Sequence, residues 1–264
     1  MNKRALLFIT AMLVVALPLS HRWTQTPSND PLHPEQGRGE LQKDDREAAR
    51  RLKLAADQGN AEAQYNLGLF YEQGRGGLQK DDREAVRLYK LAAGQGNAYA
   101  QLNLALIYVE GRGGLPSDER EAARLFKLAA DQGSAEAQSK LGFFYDQGRG
   151  GLQKDDRQAA RLFKLAADQG YRKAQYNLGL FYYEGRGGLQ KDDREAARLY
   201  KLAADQGDAY AQLNLGVLYL EGLGGLQKNE REATRLLKLA ADQGHANAQR
   251  ALERLARRMG TSAL

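Results

Sequence analysis

Residues 81–117 read DDREAVRLYKLAAGQGNAYAQLNLALIYVEGRGGLPS, and close copies of this stretch recur along the whole chain. Glutamate or glutamine returns every 37 residues from Glu47 to Glu232, and glycine keeps the same spacing from Gly59 to Gly244. Six copies follow one another without an insertion. A period of roughly 20–50 residues is typical of a solenoid, in which each unit gains buried surface by stacking on its neighbour.

The first half of each copy predicts an amphipathic helix. Apolar residues at Ala85, Leu88, Tyr89 and Ala92 follow the i, i+3, i+4, i+7 spacing of one helix face. The residue that opens the helix has Glu or Gln three positions later, which is a capping-box arrangement. The opening residues are Asp44, Asp81, Asp118, Asp155, Asp192 and Asn229.

The second half of each copy predicts another helix, preceded by the glycine of DQG or GQG as a left-handed C-cap. Its N-caps are expected at Asn60, Asn97, Ser134 and Asp208, whereas Tyr171 and His245 break this rule. One position inside the helix accepts only Gly or Ala in the first five copies, which indicates close helix contact. A Gly-rich loop, GRGGLQK in most copies, leads to the next unit.

These patterns predict an all-α protein, an α/α superhelical solenoid of six 37-residue helix-turn-helix units. The array spans 41–258 and ends in a tail, 259–264. The final helix gains several arginines, and Arg51 replaces a leucine in the first copy, so both ends are expected to be polar caps. The units are expected near 44–80, 81–117, 118–154, 155–191, 192–228 and 229–258.

The string A-R-L-[YF]-K-L-A-A-D-Q-G-x-A-x-A-Q-x-x-L-G-x-x-Y-x-x-G-x-G-G resembles the Sel1-like repeat, a relative of the tetratricopeptide repeat. The resemblance implies a right-handed superhelix of antiparallel helix pairs and an adaptor role in protein complexes. Exported bacterial members are similar to regulators and assembly factors of the cell envelope. One cysteine-rich branch is linked to β-lactam binding, but this chain has no cysteine, which argues against that activity here.

The N-terminus resembles an export signal. Lys3 and Arg4 precede an uncharged, mainly apolar run over residues 5–19, which is shorter than the roughly 20 residues of a spanning helix. We therefore expect residues 1–20 to be a signal peptide or an uncleaved inner-membrane anchor, and the protein to be periplasmic or secreted. Residues 21–40 are expected to form a linker that ends in a truncated repeat remnant.

Composition argues against several kinds of chemistry. The chain holds 3 histidines and no cysteine, and no nucleophile, paired-carboxylate or ligand grouping stands out. We expect no enzyme activity, catalytic residue, cofactor or metal site. The net charge of +6 is too mild to indicate nucleic-acid binding by itself. Membrane contact is expected only through an uncleaved N-terminal segment.

Two candidate binding surfaces remain. The first is a basic ridge on the first helices, either an electrostatic track for an acidic partner or a solvated face moderated by nearby acids. The ridge comprises Arg83, Arg87, Lys90, Arg120, Arg124, Lys127, Arg157, Arg161, Lys164, Arg194, Arg198 and Lys201. The second lies on the variable face of the second helices, either as binding anchors or as packing within the array. Its candidates are Tyr99, Leu102, Val109, Tyr176, Tyr183, Tyr210, Leu213 and Leu220.

These surfaces and the family resemblance together suggest three functions. The leading hypothesis is a non-enzymatic scaffold of a bacterial-type cell envelope that binds a protein or peptide partner along the superhelix. The alternative is a protein that binds an acidic envelope polymer, such as a polysaccharide or peptidoglycan, through the ridge. A β-lactam-processing enzyme is a distant third.

Overall fold

The computed structural model describes residues 34–259, which form twelve α-helices and no strand. Consecutive helices are joined by short turns and pack against each other in chain order. The helices are α1 (Pro34–Asp57), α2 (Ala61–Gln73), α3 (Asp82–Gly94), α4 (Ala98–Glu110), α5 (Glu119–Asp131), α6 (Ala135–Gln147), α7 (Asp156–Asp168), α8 (Arg172–Glu184), α9 (Asp193–Asp205), α10 (Ala209–Glu221), α11 (Glu230–Asp242) and α12 (Ala246–Met259). The predicted all-α solenoid of helix pairs is therefore confirmed.

The N-caps of the later first helices are confirmed, but the capping box is only half formed. The Asp81 carboxylate accepts from the amides of Arg83 and Glu84, at 2.9 and 3.0 Å. The Glu84 side chain turns outward to Arg87 instead of back to the cap. The Asp81 amide donates to the carbonyl of Tyr71 in the preceding helix, at 3.0 Å. The N-cap of each first helix after α1 is therefore hydrogen-bonded to the end of the preceding second helix.

The first helix departs from the predicted start. No capped turn lies at Asp44, because α1 runs unbroken from Pro34 to Asp57. The end of the predicted linker, with its truncated repeat, is therefore helical backbone. Two causes are apparent. Among the described residues, no second helix precedes α1 to accept the Asp44 amide. Proline at the first helical position also loses no hydrogen bond by lacking an N–H.

The second helices begin as expected. The side chains of Asn60, Asn97, Ser134 and Asp208 each accept from the amide three residues later, at 2.8–3.3 Å. Tyr171 makes no side-chain cap. The helices end on left-handed glycines such as Gly148, at φ 64°.

The core lies between second helices and the first helices that follow them. A Cβ added to Gly68 would lie 2.6 Å from a ring carbon of Tyr89, and one added to Gly142 would lie 2.9 Å from Phe163. The predicted close contact at the Gly/Ala column is confirmed. Helices joined by the Gly-rich loop pack more extensively than helices joined by DQG, so the tight hairpin runs from a second helix into the next first helix.

The ends of the array are polar, as predicted. The side chain of Arg51 is 79% exposed and pairs with Glu47. In α12 the side chains of Arg250, Glu253 and Arg254 are exposed. Residues 34–259 contain no helix that is long and apolar enough to span a bilayer. The predicted signal or anchor, residues 1–20, lies outside the described residues, as does the tail beyond residue 259.

Candidate binding surfaces

The second cation of a ridge triplet is held by an acid of its own helix in every triplet except that of Arg161, which bonds the neutral Gln158. The Arg87 guanidinium donates two hydrogen bonds to the Glu84 carboxylate, at 2.7 and 2.8 Å. The pair raises the pKa of Arg87, and in the last copy the matching pair lowers the pKa of Glu232. Equivalent pairs join Arg124 to Glu121, Arg198 to Glu195, and Arg235 to Glu232.

The other two cations of each triplet are also engaged in most copies. Lys127, Lys164 and Lys201 pair with the aspartates four residues later, at 2.8–3.0 Å. The first arginine of each triplet lies against the third glycine of the Gly-rich loop in its own copy. Arg83, for example, lies beside Gly114. Six of the twelve ridge cations therefore pair with an acid of the same helix, which moderates the charge of this face without cancelling it.

Each first helix also presents a leucine that the sequence analysis did not select. This column is 38–64% exposed, although leucine is normally buried. It could have been found as a leucine outside the apolar stripe, repeated in every copy. Its members are Leu54, Leu91, Leu128, Leu165, Leu202 and Leu239.

Grooves lie beside these leucines, between one first helix and the next. One groove, of about 450 Å³, is lined by Lys90, Gly94, Tyr108, Leu128 and the Glu121–Arg124 pair. Another, of about 310 Å³, lies two repeats further on and has the same composition, except that an aspartate replaces the glycine. Its lining includes Lys164, Asp168, Tyr182, Glu195, Arg198 and Leu202.

The second-helix face carries two tyrosine clusters. In the first, Tyr65 contacts both Tyr89 and Tyr99, with ring centroids 5.8 and 5.7 Å apart. In the second, Tyr176 contacts Tyr200 and Tyr210 at 5.9 and 5.7 Å. The clusters are offset by 111 residues, which is three repeats. The two halves of the array therefore repeat one aromatic arrangement.

The predicted contact residues divide into exposed and packed groups. Tyr99 and Tyr210 are 66% and 58% exposed, and Tyr183 is also exposed. Leu102 is buried, so this residue is corrected from surface anchor to core. This face therefore contains exposed residues, which stay candidate anchors, and residues that pack within the array. The half-buried residues are Val109, Tyr176, Leu213 and Leu220.

The loop arginines join repeats to one another. Arg112 pairs with Glu72 of the previous copy at 2.6 Å, and Arg186 pairs with Asp146 and Asp156. Arg186 also lies over the Phe181 ring, 4.4 Å from its centroid. These interactions agree with turn and packing roles for the loops.

A glutamine relay links consecutive repeats, and the sequence analysis missed it. Gln132 donates to buried Gln101 at 2.8 Å, and Gln101 donates to the Ala93 carbonyl at 3.2 Å. Equivalent glutamine pairs link every repeat to the next from Gln64 to Gln243. Both glutamine columns are unchanged in all six copies, a signal visible in the sequence.

No metal-binding grouping of His, Asp or Glu occurs within the part of the chain that the structure describes. The exposed groups are ion pairs, tyrosines and leucines. These can bind a partner by apolar contact and charge pairing.

Comparison with known proteins agrees with this architecture. The Sel1 repeat model matches residues 33–60, 61–97, 98–134, 135–171, 172–208 and 209–245. These matches cover most of the chain, and the five from residue 61 onward each begin at a second helix, as the packing does. The chain belongs to the Sel1 repeat family.

Two solved structures show the likeness in three dimensions. A Sel1 repeat protein from Oxalobacter formigenes is 34% identical over 74% of this chain and 76% of that one, with a TM-score of 0.67. The c5321 protein, a protective antigen present in uropathogenic Escherichia coli strains with an SLR fold, is 29% identical, with a TM-score of 0.55. That match covers 82% of this chain and 53% of the antigen. The curated proteins contain no match.

Proposed function

We propose that this Sel1 repeat scaffold is a non-enzymatic adaptor of a bacterial-type cell envelope that holds a protein partner. The observation that carries the proposal is the exposure of Tyr99 and Tyr210, each at the outer end of a three-tyrosine cluster. Tyrosine supplies a large, amphipathic contact area and is enriched among residues that dominate binding energy.

The charge pattern supports a protein partner over an acidic polysaccharide. A polymer bound by counterion release needs cations that are free to neutralise its charges. Half of the twelve ridge cations are already paired with acids of the same helix. Apolar docking at the tyrosines does not depend on such cations.

Envelope location rests on the apolar run at residues 5–19 and belongs to the proposal. A periplasm-activated reporter fused to the C-terminus should be active with the full chain and inactive after deletion of residues 1–20. Activity of the truncated fusion would contradict export by this segment.

In-cell photo-crosslinking tests the adaptor role. A photoreactive phenylalanine analogue is placed at Tyr99 or at Tyr210 of the full chain. Matched controls carry it at Glu136 and Lys173, which occupy the same position of the third and fourth second helices. We expect one protein to be captured from both tyrosine positions and not from the controls. Capture of no protein, or equal capture at all four positions, would overturn the proposal.

A further inference from the structure

The charge balance of the first-helix face fails at two neighbouring places. In α5 and α9, Lys127 and Lys201 each pair with an aspartate four residues later in the same helix. At the equivalent position after Lys90 the chain has Gly94. In α7, Gln158 replaces the usual glutamate. The Arg161 guanidinium therefore donates to a neutral amide oxygen, at 3.2 Å, and not to a carboxylate.

The two departures from the repeat, Gly94 and Gln158, lie one in each of two consecutive positions between first helices. The Lys90 groove holds Lys90, Arg124 and Glu121, which sum to a charge of +1. The next groove, called the Arg161 groove, contains at equivalent positions Lys127, Asp131, Gln158 and Arg161, again +1. The Lys164 groove that follows has two cations and two carboxylates, a sum of zero.

Apolar side chains accompany the excess charge. The Lys90 groove is lined by Tyr108 and by Leu128, which is 38% exposed. Leu165, at the equivalent position of the Arg161 groove, is 41% exposed. At Gly94 an added Cβ would meet nothing within 4 Å, so the missing aspartate leaves open space beside the lysine.

We propose that the Lys90 and Arg161 grooves together bind an extended acidic and aliphatic peptide segment of the partner. One carboxylate of the segment takes the place of the missing aspartate at Lys90, and another takes the place of the missing glutamate at Arg161. Aliphatic side chains between them cover Leu128 and Leu165. This inference rests on the proposed adaptor function and adds a ligand class and a location.

The repeat spacing sets the expected peptide. Neighbouring helices of one layer lie on the order of 10 Å apart, and an extended chain advances about 3.3 Å per residue. Lys90 lies on α3 and Arg161 on α7, so two such spacings, on the order of 20 Å, separate the two cations. The two carboxylates should therefore be about six residues apart in the bound segment.

The test uses the full chain and fluorescein-labelled 12-residue peptides. Each peptide carries two aspartates at spacings of three to eight residues, with leucines between them, and a matched peptide carries asparagine instead. We expect binding by fluorescence anisotropy at low salt, with the asparagine peptide about tenfold weaker. Gly94→Asp and Gln158→Glu should each weaken the aspartate peptide about threefold to fivefold, in the range of exposed ion pairs.

The test and control substitutions should keep the fold unchanged, because each introduces a residue that another repeat carries at the same position. Gly94→Asp and Gln158→Glu should retain the wild-type melting temperature or raise it. Asp168→Gly in the Lys164 groove should not weaken the peptide, since that groove lies outside the proposed site.

Three results would overturn the inference: no peptide binds, aspartate and asparagine peptides bind equally, or both restored carboxylates leave the affinity unchanged. Equal competition by an oligogalacturonate of matched charge would assign the grooves to a polysaccharide instead. Crosslinking from Tyr99 and Tyr210 probes the other face, so failure here leaves the adaptor proposal standing.

Discussion

The two faces of the array use repetition in opposite ways. On the first-helix face nearly every copy has the same arginine, lysine, leucine and acids, and each helix compensates most of its own charge. On the second-helix face the residues change, and tyrosine clusters form in two places three repeats apart. The comparison teaches that exposure alone does not mark a binding site. Departures from the repeat are the more informative signal.

The largest expected change in stability comes from a comparison of two tyrosines that contact the same ring. Tyr89 is fully buried, whereas Tyr99 is 66% exposed, and both contact Tyr65. Tyr89→Ala should lower the free energy of unfolding by about 4 kcal/mol, because it leaves a cavity in the core. Tyr99→Ala should lower it by less than about 1 kcal/mol. Urea unfolding monitored by circular dichroism measures both, and equal losses would contradict the division between frame and surface.

A smaller loss of stability is expected when the left-handed glycines of the connecting turns are replaced. Gly150 has φ 63°, and a Cβ there would lie 2.5 Å from the Glu119 carbonyl oxygen. Gly133 has φ 92°, with nothing within 4 Å of an added Cβ. Gly150→Ala should cost about 3 kcal/mol, from strain and clash together. Gly133→Ala should cost about 1 kcal/mol, from strain alone. Denaturant midpoints distinguish the two variants. A larger loss at Gly133 would show that the loop around Gly150 rearranges to accommodate the added methyl group.

Breaking one glutamine relay should have a moderate effect. Gln101→Leu removes the donor to the Ala93 carbonyl and the acceptor for Gln132. We expect a loss of about 1–2 kcal/mol in the free energy of unfolding. The exposed Gln79→Leu is the matched control and should change stability by less than about 0.5 kcal/mol. Indistinguishable variants would mean that the relay contributes nothing net.

The smallest effect is a change in acid sensitivity. Hydrogen bonds from Arg149 and Arg186 lower the pKa of Glu119 and of Asp156 in the folded chain. A carboxyl group with a lowered folded pKa adds stability above its unfolded pKa of about 4, and this is lost as the pH falls further.

Replacing Arg149 and Arg186 with glutamine should therefore flatten the fall in melting temperature between about pH 5 and pH 3. The exposed Lys173→Gln should keep the wild-type slope. If the arginine variants also keep it, these pairs do not contribute to acid sensitivity.

The sequence predicts most of the fold because its strongest signals are local. An aspartate that caps amides two and three residues later needs no knowledge of distant parts of the chain. The 37-residue period then fixes the order of stacking. The start of α1 escapes this reasoning because a cap at Asp44 depends on a partner outside its own helix. In later units that partner is a tyrosine carbonyl of the preceding helix.

The surfaces were less predictable because their properties depend on three-dimensional neighbours. Arginine, lysine and acid spacing permits either a ridge or internal pairing, and only the rotamers decide between them. Leu102 and Tyr99 lie three residues apart on one helix, yet one is buried and the other exposed. Leu102 belongs to a core cluster that spans consecutive repeats, whereas Tyr99 stacks on Tyr65.

Most links between repeats share one direction. In these links the later repeat supplies the donor, such as the amide of Asp118, the side chain of Gln132 or the guanidinium of Arg112. The earlier repeat supplies oxygen acceptors to these donors, and one further link runs the other way, from the Arg172 guanidinium to the Gln206 carbonyl at 3.1 Å. During synthesis from the N-terminus, the growing edge of the array therefore presents oxygens that water satisfies readily. Each newly translated hairpin can add to a template that is already complete, as a monomer adds to the end of a polymer.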